Sequence, residues 1–281
     1  MVSGTTLIPT TVPPALPSIR TSAAVSKLGP ILNSDQVANL PYGFPKLLLS
    51  TMASGDTSSF VGIKDITMMF PVSDILGLNP LARTILANAA ACAWGMAQAG
   101  VPLERAEDGR PVIAMTNLGV LTDGTMHALK RFEEAGYEVI VFHAVGSGGR
   151  AMEQLMKEGV IGAVFDYALG EISDEMFDGL RAANAERLTV AGSLGLPQVI
   201  CPGGTEHLGL MTSVPNQVPE KYKDHLYTFH NPIIFAPRLN QEEFCRVASE
   251  ISRRLQSTKG RAAADSSPSY FSSVSSPEYR S

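Results

Sequence analysis

The sequence predicts an α/β fold with a largely parallel sheet, and three observations carry that expectation. Short β-rich runs alternate with helix-length segments between residues 46 and 256, the pattern of βαβ units. The helical segments carry start and stop signals, such as Asn79-Pro80 at one beginning and Gly136 at one end. Several strand-like runs break into glycine or small polar residues where a turn into the next helix is needed.

The elements follow in order. Lys46–Thr51 and Ile66–Phe70 read as the first strands, and Asn79-Pro80 opens a helix that Gly100 closes. Val112–Met115 is the next strand. A helix from Thr122 or Asp123 turns Met126, Leu129 and Phe132 inward and stops at Gly136. Strand Glu138–Phe142, helix Ala151–Glu158 and strand Ala163–Phe165 come next. A helix from Ser173 and another after Asn184 lead to strand Gln198–Cys201. The last helix begins at Asn240 with Glu243 three residues on, a capping box, and sets Phe244, Val247, Ile251 and Leu255 on one face.

Composition bounds the rest. In 281 residues, 44% are hydrophobic and 17% charged, which excludes a chain disordered throughout, a collagen-like repeat and a coiled coil. A net charge of −5, with no basic run longer than Arg253-Arg254, argues against nucleic acid as a partner. Cys92, Cys201 and Cys245 are odd in number and far apart, so neither a disulfide framework nor a zinc motif is expected. The most apolar stretch, Leu81–Val101, carries Arg83, Asn88 and Gln98, so a buried helix is expected and not a membrane span. The N-terminus lacks the pattern of a secretory signal and only faintly echoes an organellar transit peptide, so a cytoplasmic location is expected. Residues 1–30, crowded with proline, read as a disordered arm. Residues 257–281, with nine serines among 25, read as a disordered tail, leaving 31–256 as the folded domain.

Candidate chemistry concentrates where strands end. Residues 141–159 run from a strand through Gly146, Ser147, Gly148, Gly149 and Arg150 into a helix. Amides at such a helix start, with the dipole and a nearby arginine, favour a phosphate or carboxylate. The plainer reading is a tight turn whose glycines serve packing. Ser54 and Gly55 follow the first strand, and Thr116 follows Val112–Met115, at the carboxyl edge where open α/β sheets bind ligands. A turn is again the plainer reading for Ser54-Gly55-Asp56-Thr57. His143 beside the glycine-rich turn can relay a proton. Asp166 and Glu171 can act as acid and base or hold a metal on phosphates, although Glu171 also suits a helix N-terminus. His207, His225 and His230 have no zinc-site spacing.

The segments LPYGFPKLLLSTMASGD, GIKDITMMFPVSDILGLN, ILANAAACAWGMA, FHAVGSGGRAMEQLMKEG and HNP together resemble the Tm-resistance-protein-like ATP-binding domain family. The resemblance implies a Rossmann-like three-layer sandwich, ATP binding with magnesium, and dimerisation. Carried over to this sequence, the family's polar block falls on Ser50, Thr51, Ala53, Ser54 and Gly55, and its glycine-rich block on Gly146–Arg150 and Glu153. The family's opening stretches, Thr-x-Asp-Thr-Lys and Gly-Gly-Ser-Gly-Gly-Thr, are absent. So are three hydroxyls between Asp166 and Glu171, and the barrel domain that many members add. By this resemblance the chain corresponds to the second half of the family's ATP-binding domain, with a homodimer mate or a partner chain supplying the other half. The expected function is binding of ATP or another anionic small molecule, through Ser54, Gly55, Thr116, Gly146–Arg150 and Glu153, with Asp166, Glu171 and His143 as reactive groups and no reaction assigned. The alternative is a shortened, catalytically silent relative acting as a protein-interaction module, or one piece of a longer gene product.

Overall fold

A computed structural model of the chain describes residues 26–27, 40–101, 103 and 109–264. Most of the arm and the end of the tail lie outside the described residues. The described residues fall into two compact units, one within Met1–Val61 and Asp65–Pro102, the other within Gly62–Lys64 and Leu103–Ser281.

The first unit holds a parallel three-stranded sheet in the order β1 (Ser26–Lys27), β2 (Leu47–Leu49), β3 (Thr67–Met69). After β2, Ser50 caps a short 3-10 turn by accepting from the Met52 amide, and Asp56 accepts from the Ser58 amide at the start of α1 (Ser58–Val61). Helix α2 (Pro80–Ala99) starts and stops as its sequence dictates: the Asn79 side chain accepts from the Ala82 amide, and Gly100 takes the left-handed conformation. Its Ala89 and Ala93 pack on Leu47 and Leu49. The buried Lys46 ammonium spends its donors on the Pro41 and Phe44 carbonyls and on Asp65 Oδ1, at 2.7, 2.8 and 2.6 Å.

The second unit is built on a five-stranded sheet. Its members are β4 (Val112–Asn117), β5 (Val139–His143), β6 (Ile161–Ala168), β7 (Gln198–Gly203) and, far along the chain, β11 (Ala262–Ala264). All pairings are parallel, in the spatial order β5-β4-β6-β7-β11. The α/β fold with a parallel sheet flanked by helices is therefore as expected. Helix α3 (Thr122–Glu134) follows β4, α4 (Ser147–Lys157) follows β5, and α5 (Gly170–Met176) and α6 (Val190–Leu194) follow β6. Helix α4 begins four residues earlier than expected, inside the glycine-rich turn. On one sheet face Met115, Tyr167 and Cys201 meet Leu118, Leu121 and α3.

Between β7 and β11 lies a second, antiparallel sheet in the order β8 (Leu210–Met211), β10 (Ile234–Pro237), β9 (Tyr227–Asn231). Helix α7 (Gln241–Leu255) closes over it, with the Asn240–Glu243 capping box formed and Val247 packed with Phe235, Tyr222 and Leu208. None of these three short strands is read in the sequence. β11 lies inside the serine-rich tail, whose residues 257–264 are described and add an edge strand beside β7. No helix among the described residues is long and apolar enough to cross a membrane.

Candidate functional site

The five-stranded sheet starts at β4, adds β5 on one side, and then crosses to β6 and β7 on the other. The order reverses between β4 and β6, and in open α/β sheets ligands bind beyond the carboxyl ends of the strands at such a point. Here β4 ends at Thr116-Asn117 and β6 at Asp166–Ala168, where its register with β7 shifts.

The polar groups at this point form a closed network. The Thr116 hydroxyl donates to Asp166 Oδ1 at 2.8 Å and accepts from the Ala168 amide at 2.8 Å, tying β4 to β6. Arg187, wholly buried, donates to both Asp166 oxygens at 2.6 and 2.7 Å and to Glu171 Oε2 at 2.6 Å. Glu171 Oε1 in turn accepts from the amides of Gly146 and Gly149 at 2.6 and 3.1 Å. A third carboxylate, Glu153 of α4, accepts from the Leu188 amide at 2.6 Å and stands 4.0 Å from Arg187. That bond holds buried Leu188 at a left-handed φ of 73°, a conformation a branched side chain seldom adopts. Burial pushes the Glu153 carboxyl up to about 7, against the pull of Arg187.

The glycine-rich turn thus holds an anion, but one from its own chain. Its glycines are needed sterically. Gly146 has φ of 83°, a Cβ on Gly148 would lie 1.9 Å from the His143 carbonyl oxygen, and one on Gly149 would lie 2.1 Å from Glu171 Oε2. Ser147 and His143 remain exposed on the outer side, and Arg150, half-buried, returns Nε to the Gly146 carbonyl at 3.3 Å.

Asp166, Glu171, Thr116, Gly146, Gly149 and Glu153 are therefore brought together, each engaged internally, while His143 and Ser147 are exposed and Arg150 is half-buried against the turn. Ser54 and Gly55 lie in the other unit, in the capped turn after β2, where Ser54 is exposed. Since all four oxygens of Asp166 and Glu171 are taken, these residues do not fit a magnesium site. Among the described residues no group of three or more His, Cys, Asp or Glu side chains could hold a metal.

Sequence reading missed Arg187, which organises the network, and no pattern marks it: in NAERLTV an arginine is expected at the surface. It also missed a second buried cluster at the same sheet edge. Arg181 grips Asp174 through Nε and one terminal nitrogen at 2.9 and 2.8 Å, donates to the His207 carbonyl at 2.8 Å, and meets His207 Nε2 at 3.2 Å. The backbone of Arg181-Ala182 packs against Gly146, so one segment touches both the turn after β5 and the loop after β7.

Residues 110–267 match the family model described as the uncharacterised protein family (UPF0261) C-terminal domain, and residues 26–102 match that of its N-terminal domain. The chain belongs to the UPF0261 family. A UPF0261 protein of Clostridium tetani is 41% identical over 221 residues, covering 78% of this chain and 54% of the relative. One of Mesorhizobium japonicum is 38% identical over 217 residues, covering 77% and 53%. The ToMV resistance protein Tm-1(GCR237) of Solanum lycopersicum is 32% identical over 237 residues, covering 81% of this chain and 30% of the relative. The chain thus spans about half the length of the bacterial UPF0261 proteins it matches. Tomato Tm-1 proteins are among the family's relatives, as the resemblance implied. The UPF0261 models divide between two domains the stretch that the resemblance assigned to the second half of one.

Proposed function

We propose that the protein binds a small anionic molecule, carrying phosphate or carboxylate, at the carboxyl edge of the five-stranded sheet. One observation carries this reading: the strand order reverses between β4 and β6, and the glycine-rich turn after β5 and Gly203-Gly204 at the end of β7 lie on the same carboxyl edge, one strand further out on either side. Glu171 and Arg187 fix the turn from inside, so its outer side, with Ser147, Arg150 and His143, is ordered before any ligand arrives. ATP is the ligand that the resemblance implies, and on this reading its phosphates would contact Ser147 and Arg150. The test is calorimetric titration of the full chain with ATP and magnesium, inorganic phosphate, malate and succinate. Heat from at least one, weakened about tenfold by Arg150→Ala, is expected; no heat from any at millimolar concentration overturns the reading. A second reading, a silent interaction module, is favoured by the inner amides of Gly146 and Gly149 being already satisfied by Glu171, and the same absence of heat would support it.

A further inference from the structure

His207 is buried, with 6% of its surface exposed. Its backbone is fixed by a bridge to Arg238, and its neighbours Glu206 and Leu208 are tied to the end of β10 through Leu239 N to Glu206 O and Leu208 N to Pro237 O. The ring is fixed too. Arg181 can only donate, so His207 Nε2, 3.2 Å from its terminal nitrogen, must accept, and the ring proton sits on Nδ1. Asp174 holds Arg181 in place with two charge-assisted bonds.

That leaves a buried Nδ1–H with no hydrogen-bond partner. Glu206 Oε1 stands 3.8 Å from it, too far for a hydrogen bond. A single hydroxyl oxygen can bridge such a gap, accepting from the imidazole and donating to the carboxylate. A second feature marks the same place. Gly204 takes a left-handed φ of 73°, and a Cβ there would sit 3.0 Å from Leu118 Cδ2 and 3.9 Å from His207 Cε1. The missing side chain lets Leu118, in the loop after β4, pack closely on the backbone beside His207.

We propose that His207 and Glu206 form a hydroxyl-recognising pair, positioned by Arg181 and Asp174, so that the ligand class is an anionic small molecule bearing a hydroxyl group. This rests on the carboxyl-edge reading above and narrows it. The shared chemistry is found in hydroxy acids and in the ribose of nucleotides, so the titration uses matched probes: malate against succinate, and ATP against dideoxy-ATP, on the full chain. In one pair at least, the hydroxyl-bearing probe binds about tenfold more tightly than its partner, because a site built to bond a hydroxyl rejects the analogue without it.

Two variants separate ligand recognition from folding. His207→Gln keeps an acceptor for Arg181 near the Nε2 position and removes the donor, so the tenfold preference disappears. His207→Asn keeps a donor near Nδ1 and retains it. Nitrogen-15 spectra of the unliganded protein report the tautomer directly. An Nε2–H tautomer, or equal binding within both probe pairs, as expected of a bridging water alone, overturns the proposal and leaves the carboxyl-edge reading standing. Absence of binding by every probe overturns both.

Discussion

Arg187 Nε donates to Glu171 Oε2 at 2.6 Å with both side chains wholly out of water. This pair fills the inner side of the glycine-rich turn with a carboxylate of the protein's own and leaves Ser147 exposed. Removing the arginine leaves Asp166, Glu171 and Glu153 buried with no cation among them. Arg187→Met is expected to destabilise the second unit by about 3–5 kcal/mol, read as a lower urea midpoint. A loss below about 1 kcal/mol would show that the network contributes little.

Glu153 gives the fold a pH dependence of definite sign. Its folded value of about 7 lies above the ordinary 4.5, so between those two values the folded protein holds a proton that the unfolded chain has released. The resulting stability is fully present below 4.5 and is lost as pH rises through 7. It amounts to something on the order of 3 kcal/mol. Glu153→Gln, which mimics the protonated acid, should flatten this part of the stability profile. Parallel slopes for the two proteins would show that Glu153 titrates normally.

Two glycines make opposite predictions. Gly148→Ala drives a Cβ to 1.9 Å from the His143 carbonyl oxygen, backbone that cannot yield cheaply, and should cost at least about 3 kcal/mol. Gly95 sits in α2 with nothing within 4 Å of an added Cβ, so Gly95→Ala should stabilise its helix by about 0.5–1 kcal/mol. Thermal melts of both variants give the comparison.

At the start of α7, Asn240 Oδ1 accepts from the Glu243 amide at 2.9 Å and Glu243 Oε2 accepts from the Asn240 amide at 3.0 Å. Asn240→Ala removes half of this box and should cost about 1 kcal/mol. Circular dichroism during urea unfolding measures it.

Local chemistry made much of the fold legible. Asn79-Pro80, Gly100, Gly136 and the Asn240–Glu243 box mark helix ends because capping depends on residues within a few positions of each other. The three strands of the small antiparallel sheet and β11 were not legible. Leu210–Met211 and Ala262–Ala264 have no period of their own and become strands only because a distant strand offers a partner.

The candidate site divides in the same way. The run from Gly146 to Arg150 announces an anion-seeking turn, and Thr116, Asp166 and Glu171 could be placed at strand or helix ends from sequence. What fills the turn could not be. Glu171 lies 25 positions from Gly146, and Arg187 lies 16 beyond Glu171; no short pattern links them.

By itself, then, the sequence determined the α/β alternation, most helix ends and the residues near the sheet's carboxyl edge. All of these follow from propensity, capping and periodicity over a few residues. Only the tertiary structure decided that Asp166 and Glu171 face Arg187, and that Glu171 occupies the glycine-rich turn. It alone placed the Arg181 guanidinium 3.2 Å from His207 Nε2. Those outcomes depend on which charges share a buried space, and a buried charge must find its partner wherever the fold brings one.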